Sequence, residues 1–246
     1  MESSPKIALI TGANRGLGLE IARQLGQRHY LVLLGARHEA AGRAAAALLV
    51  SEGLRAHYLP LDITLPDSVA QAAATVERDY GRLDVLVNNA VYFTRENQNP
   101  SQIAPDLLHH YLNTNFVAQV AVTQACLPLL HRSAAGRIVN MSSSIGSFAT
   151  MGETLHTTPR LAAATPLGYS ASKAALNMFT TLLAKELRLT SIKVNSADPG
   201  RTQTDMGGPD APNTVEYGAK VAVWLACLDE DGPTGGFFAY QKANNW

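Results

Sequence analysis

Short apolar runs recur along the chain, each followed by a stretch with helical spacing. KIALIT at 6–11 leads into GANRGLG, and then Leu19, Ile21, Ala22 and Leu25 fall on one helical side. LVLLG at 31–35 precedes an Ala-rich helical stretch over 39–52. RAHYLPLD places a third strand near 55–61, ending at Asp62, and a helix follows over 66–80 with Pro66 at its tolerant start. LDVLVNNA gives a fourth strand at 83–88, with helices expected over 105–111 and 113–131. GRIVNMSS gives a fifth strand at 137–142, and SASKAALNMFTTLLAKEL a long helix within 168–190. A sixth strand is expected at 192–197, a helix over 215–228, and a last strand near 236–240.

Strands that read as unbroken apolar runs, alternating with helices, predict a parallel sheet covered on both faces. The expectation is an α/β fold: one doubly wound domain over 1–246, a mostly seven-stranded sheet, no linker and no internal repeat. Two stretches break the rhythm, 145–167 and 199–214, both rich in Gly, Thr and Pro. Each follows a strand at the carboxyl edge, where open α/β sheets bind ligands, so both are expected to be substrate-side loops. Phe148, Met151, Leu155, Met206 and Pro209 offer apolar lining there, and Glu153 and Arg160 the few fixed charges.

Composition narrows the function class. Lys plus Arg and Asp plus Glu are 20 each, which gives no general attraction to nucleic acid or an anionic membrane. No apolar run approaches a membrane span, and MESSPKIALI has no basic stretch followed by an apolar core. A cytoplasmic protein is expected. Cys126 and Cys227 lie in apolar helical patterns as buried free thiols, and no spacing suggests a metal.

The first strand ends in Thr11-Gly12-Ala13-Asn14-Arg15-Gly16-Leu17-Gly18. Glycines between a buried strand and a helix let the backbone approach a pyrophosphate that the helix amides then face. The second strand ends Leu34-Gly35-Ala36-Arg37, without the acid that would bind the ribose hydroxyls of NAD. Arg37, with Arg15 approaching from the other side, suits a 2′-phosphate, so NADP(H) is the expected cofactor. Asp62 either accepts a hydrogen bond from adenine or caps the turn before Pro66. Asn88, Asn89 and Ala90 suit a loop pressed against ribose.

Tyr169 and Lys173 stand four apart on one helical face. A nearby ammonium favours the phenolate, and such a tyrosine exchanges a proton with an alkoxide or alcohol. A serine at the end of the fifth strand, within Ser142-Ser143-Ser144, would hydrogen-bond a carbonyl oxygen. Asn115 sits among apolar residues in a helix and needs partners if buried.

These elements, in this order over essentially the whole chain, resemble the short-chain dehydrogenase/reductase family. TGANRGLG resembles its TGxxxGxG turn, NNAV its NNAG, and YSASK its YxxxK. Asn115 in TNF, Ser143 in NMSS, Pro199-Gly200 and Thr204 also match. The resemblance implies a Rossmann-type fold with Tyr169 as general acid/base and Ser143 orienting the substrate. It implies that Lys173 lowers the Tyr169 pKa and binds ribose, and that Asn115 holds a relay water. It places Gly12, Asn14, Arg15, Gly16, Leu17, Gly18, Arg37, Asp62, Ile63, Asn89, Ala90, Pro199, Gly200 and Thr204 on the cofactor, with Tyr169 and Lys173.

Within the family the chain looks most like NADPH-dependent carbonyl reductases, through LGAR, TDMGGPDA and its last residues, DGPTGGFFAYQKANNW. The expected reaction is hydride transfer to a ketone, aldehyde or quinone. The alternatives are oxidation of a secondary alcohol in a biosynthetic pathway, or a non-catalytic nucleotide-binding regulator. The 25 residues between Ser143 and Tyr169 exceed most of the family but not its monomeric mammalian type. The resemblance brings the family's common homodimer or homotetramer as an expectation, with a monomer kept open. Val91 replaces a usual Gly, and a branched residue does not readily take a positive φ.

Overall fold

Each apolar run becomes a strand buried on both sides. In β1 (Ile7–Thr11), Ala8 and Ile10 face one layer of helices while Ile7 and Leu9 face the other. The same division holds for Leu34 and Leu33 of β2 (Leu31–Ala36). It holds again for Val87 and Leu86 of β4 (Val85–Asn88). Fully burying each such side chain stabilises the fold by about 1.5–3 kcal/mol. That is why the strand pattern is continuous rather than alternating.

The computed structural model describes residues 4–157 and 165–246. The remaining strands are β3 (Ala56–Pro60), β5 (Arg137–Met141), β6 (Lys193–Ala197), β7 (Phe237–Ala239) and β8 (Lys242–Ala243). The sheet order is β3-β2-β1-β4-β5-β6-β7-β8. The first seven strands pair in parallel and β8 pairs antiparallel with β7. The expected mostly seven-stranded parallel sheet is present, and β8 extends its edge. This last strand is two residues long, too short for any period to show.

Helices α1 (Gly16–Gly26), α2 (Glu39–Ser51) and α8 (Val215–Ala226) cover one face. Helices α3 (Pro66–Tyr80), α5 (Ala118–His131) and α7 (Leu167–Glu186) cover the other. The order of strands reverses between β1 and β4, so a crevice opens beyond Thr11 and Asn88. Doubly wound sheets place their ligands at such a point. Among the described residues no helix is long and apolar enough to cross a membrane.

Two local expectations change. The helix expected over 113–131 begins with a π-helical turn at Asn113–Val117, which joins α4 (Pro105–Leu112) to α5. The stretch 145–167 is not plain loop. A 3₁₀ turn at Ser144–Gly146 leads into α6 (Phe148–Thr157). The end of the chain holds the start of this helix. The Ser147 hydroxyl donates to the Asn245 carbonyl at 2.9 Å, and the Ala149 amide donates to the Trp246 carbonyl at 3.1 Å. Trp246 stacks on Phe237 with ring centroids 5.5 Å apart. By contrast 199–214 is irregular, as its composition predicts, with a single bridge between Thr202 and Asn213.

Candidate active site

The glycine turn fits against the end of β4 with almost no space to spare. Gly12 has φ +66°, and a Cβ there would lie 2.8 Å from the Ala90 Cα. A Cβ on Gly18 would lie 2.5 Å from the Gly12 carbonyl oxygen. Thr11 joins the two segments, because its hydroxyl oxygen accepts the Asn89 and Ala90 amides, both at 2.9 Å. The Asn89 carboxamide donates back to the carbonyls of Thr11 and Gly12 at 2.9 and 3.3 Å. Asn89 and Ala90 therefore shape the turn itself. Helix α1 starts at Gly16 with no side chain capping its first amides, which leaves them for an anion. Asn14 is half-buried in the turn, and half-buried Leu17 packs onto the apolar layer behind it.

At the neighbouring strand end, Arg37 is exposed and its Nε donates to the His38 Nε2 at 3.2 Å. Gly35 and Ala36 before it are buried and carry no acid. Burial pushes the Asp62 carboxyl up, but hydrogen bonds from Thr64 and the charges of Arg37 and His38 hold it below its ordinary value. Its Oδ1 accepts the Thr64 amide at 2.9 Å and the Thr64 hydroxyl at 2.7 Å. The turn-capping alternative for Asp62 is thus realised. Ile63 is buried beside it. Uncapped amides, a glycine cradle and an exposed guanidinium without an acid beside it fit the pyrophosphate and 2′-phosphate of NADP(H).

The Arg15 guanidinium pairs with Asp205 of the 199–214 segment, and both side chains are exposed. Thr204 confirms how close that segment runs: its methyl lies 3.7 Å from where a Gly16 Cβ would be. Gly200 turns the chain with φ +65°, and its amide donates to Asp198 Oδ1 at 2.9 Å. The Pro199 carbonyl accepts from Thr202 and Asn213.

The reacting groups gather where α7 crosses the ends of β5 and β6. Tyr169 is buried, and Ser143 lies just past β5 on the Tyr169 side. Burial and the charge of Asp198 push the Tyr169 pKa above its ordinary value, with Ser143 pulling the other way. The Lys173 ammonium lies 5.5 Å from the Tyr169 ring centroid and donates to the Met141 carbonyl at 2.7 Å. Burial lowers its pKa to about 8. Burial thus works against the charged form of both groups, raising Tyr169 and lowering Lys173.

Asn115 is wholly buried in the π-helical turn. Its Oδ1 accepts the Tyr92 amide at 2.7 Å, and its Nδ2 donates to the Tyr92 carbonyl at 3.0 Å and to the Ser172 hydroxyl at 3.3 Å. The carboxamide clamps Tyr92 and ties it to Ser172 of α7. Val91, the departure from NNAG, does not sit at positive φ, so the side chain imposes no strain there.

Several contributors carry no sequence signal. Buried Gln98 accepts the Tyr169 amide on its Oε1 at 3.2 Å, while its carbonyl accepts the Leu167 amide at 3.1 Å. It thereby anchors the first turn of α7. Ser142 donates to Asn177 at 2.6 Å, tying the Ser143 backbone to the helix of Tyr169 and Lys173. Of the expected lining, Phe148 is 84 % exposed and turned to solvent. Met151 and Met206 are half-buried, and Pro209 is exposed. Arg160 and the side chain of Leu155 lie outside the described residues. Cys126 is buried as expected, whereas Cys227 is only half-buried.

A family model described as short chain dehydrogenase matches residues 6–214. Carbonyl reductase [NADPH] 1 of Sus scrofa is 33 % identical, over all of this chain and 96 % of that protein. The structure of NADPH-bound carbonyl reductase from chicken fatty liver superposes with a TM-score of 0.84 at 29 % identity, covering 98 % of this chain and 99 % of that one. Salutaridine reductase from Papaver somniferum gives a TM-score of 0.80 at 27 % identity, covering 95 % of this chain and 99 % of that one.

Proposed function

The chain belongs to the short-chain dehydrogenase family, and on that premise we propose that it is an NADPH-dependent carbonyl reductase acting on a ketone, aldehyde or quinone. The observation that carries this reading is the buried Tyr169 beside Lys173 and Ser143, at the same sheet edge as the glycine turn. A buried phenol at that edge is placed to exchange a proton with a carbonyl or alcohol oxygen, and the relatives named for carbonyl reduction support the reductive direction.

NADPH, when bound, supplies the hydride. Arg37 would hold the 2′-phosphate, and the uncapped first amides of α1 would hold the pyrophosphate. The Ser143 and Tyr169 hydroxyls would together hold the carbonyl oxygen and polarise it. Tyr169 gives its proton to that oxygen as negative charge develops. Lys173, fixed by Met141, keeps a cation beneath the Tyr169 ring while the phenolate forms, and that charge stabilises the phenolate at the moment it appears. The relatives named for carbonyl reduction support the substrate class.

The test is to follow NADPH absorbance with purified protein and a panel of ketones, aldehydes and quinones. Consumption that depends on the carbonyl compound is expected. No consumption across the panel, with NADPH shown to bind, would overturn the reading in favour of a non-catalytic nucleotide-binding protein.

A further inference from the structure

The segment after β4 is fixed at two points on either side of Phe93. On one side Asn115 grips both backbone groups of Tyr92, at 2.7 and 3.0 Å. On the other, the Tyr111 hydroxyl grips both backbone groups of Thr94. It accepts the Thr94 amide at 3.0 Å and donates to the Thr94 carbonyl at 3.3 Å. Tyr111 is wholly buried, and Tyr92 packs edge-on against it and against His110, with centroids 5.0 and 4.1 Å away. The backbone carrying Phe93 is therefore locked before any substrate arrives.

Phe93 meets the Tyr169 ring edge-to-face, centroids 5.9 Å apart at 89°. Although it touches a buried tyrosine, it remains 37 % exposed, and Val91 is 39 % exposed. Phe93 thus presents open aromatic surface next to the Tyr169 ring. Its mount is already fixed, so packing a substrate group against this ring would cost little further ordering.

We propose that Phe93 is a specificity-determining residue whose exposed ring packs against a flat aromatic substituent on the carbonyl carbon, selecting aryl ketones over saturated ketones of equal size. The inference rests on the carbonyl-reductase reading and assigns that site its preferred substituent. Edge-to-face and offset pairing between aromatic rings favours a flat aryl group over a puckered ring of the same carbon count. It predicts a preference of roughly 2- to 10-fold beyond what size alone gives.

The experiment compares kcat/KM for acetophenone and cyclohexyl methyl ketone in wild type, Phe93→Leu and Phe93→Trp, with NADPH. The intrinsic reactivity difference between the ketones cancels when ratios are compared across variants. The aryl-to-cyclohexyl ratio is expected to fall about fivefold in Phe93→Leu, which keeps apolar bulk without a ring, and to be retained in Phe93→Trp. A ratio in Phe93→Leu equal to that of wild type overturns the inference while leaving the reductase reading intact. Wild type that reduces neither ketone, nor any other carbonyl of the wider panel, removes the reading on which both rest. NADPH affinity, measured by fluorescence titration, verifies that each variant is folded, since Phe93 is not among the residues facing the cofactor.

Discussion

Replacing Lys173 by Met removes the one buried ammonium that the fold carries beside Tyr169, at nearly unchanged volume. In the folded chain burial lowers the Lys173 pKa from 10.5 to about 8. Its charged form is thus held at a cost of about 3 kcal/mol below pH 8, from about 1.4 kcal/mol for each pH interval of one. The sign follows from proton counting. Between pH 8 and about 10.4 the unfolded chain keeps the proton and the folded chain has released it. Unfolding then takes up a proton, so stability rises with pH across that window. Equilibrium urea unfolding of the cofactor-free protein at pH 7 and pH 9.5 measures it. Wild type should gain about 2 kcal/mol relative to Lys173→Met between those two values. Groups common to both proteins, Asp198 among them, cancel in the difference. Parallel stability curves for the two proteins would refute the argument, because they would mean that Lys173 is solvated in the folded state.

Arg37→Ser should weaken NADPH binding by about 10- to 100-fold, the loss of one charge-assisted phosphate contact, and leave NADH binding unchanged. Fluorescence titration with both cofactors checks this, and an equal loss for both would place Arg37 away from the 2′-phosphate. Gly18→Ala should lower stability by about 1–3 kcal/mol, because the new methyl meets backbone at 2.5 Å with no flexible side chain to yield. Thermal unfolding should show a drop of several degrees, and an unchanged midpoint would contradict the close approach of α1 to the Gly12 carbonyl. Asp205→Asn should tighten NADPH binding by releasing Arg15 from its ion pair. Weaker or equal binding in the same titration would show that the pair does not compete with cofactor phosphate.

The sheet was legible because parallel strands buried on both faces must be apolar throughout. The runs at 6–11, 31–35, 83–88 and 137–142 leave no other reading. The glycine turn was legible for a related reason, since Gly12 and Gly18 are demanded by backbone contacts too close for a Cβ. What could not be read depends on distant partners. Helix α6 is held by Asn245 and Trp246, about a hundred residues away, and its own sequence mixes Gly and Thr without strong period. The π-helical turn around Asn115 leaves no mark on spacing, because it inserts one residue's worth of slack into an otherwise ordinary helix. Gln98 and Tyr111 read as polar or aromatic residues in an unremarkable stretch, and only the fold brings them against α7 and Thr94. Tyr169, Ser143 and Lys173 were legible as a set, whereas their electrostatics were not. Burial, which no motif records, shifts both groups, Tyr169 up and Lys173 down.

The central claim is that Tyr169 protonates a carbonyl oxygen during NADPH-dependent reduction. Steady-state NADPH consumption by wild type and Tyr169→Phe, with the best ketone of the panel at matched cofactor saturation, tests it most directly. The account predicts measurable turnover by wild type and a fall in kcat of about 10²–10⁴-fold in the variant, with NADPH affinity preserved. A Tyr169→Phe protein that turns over at the wild-type rate would contradict it.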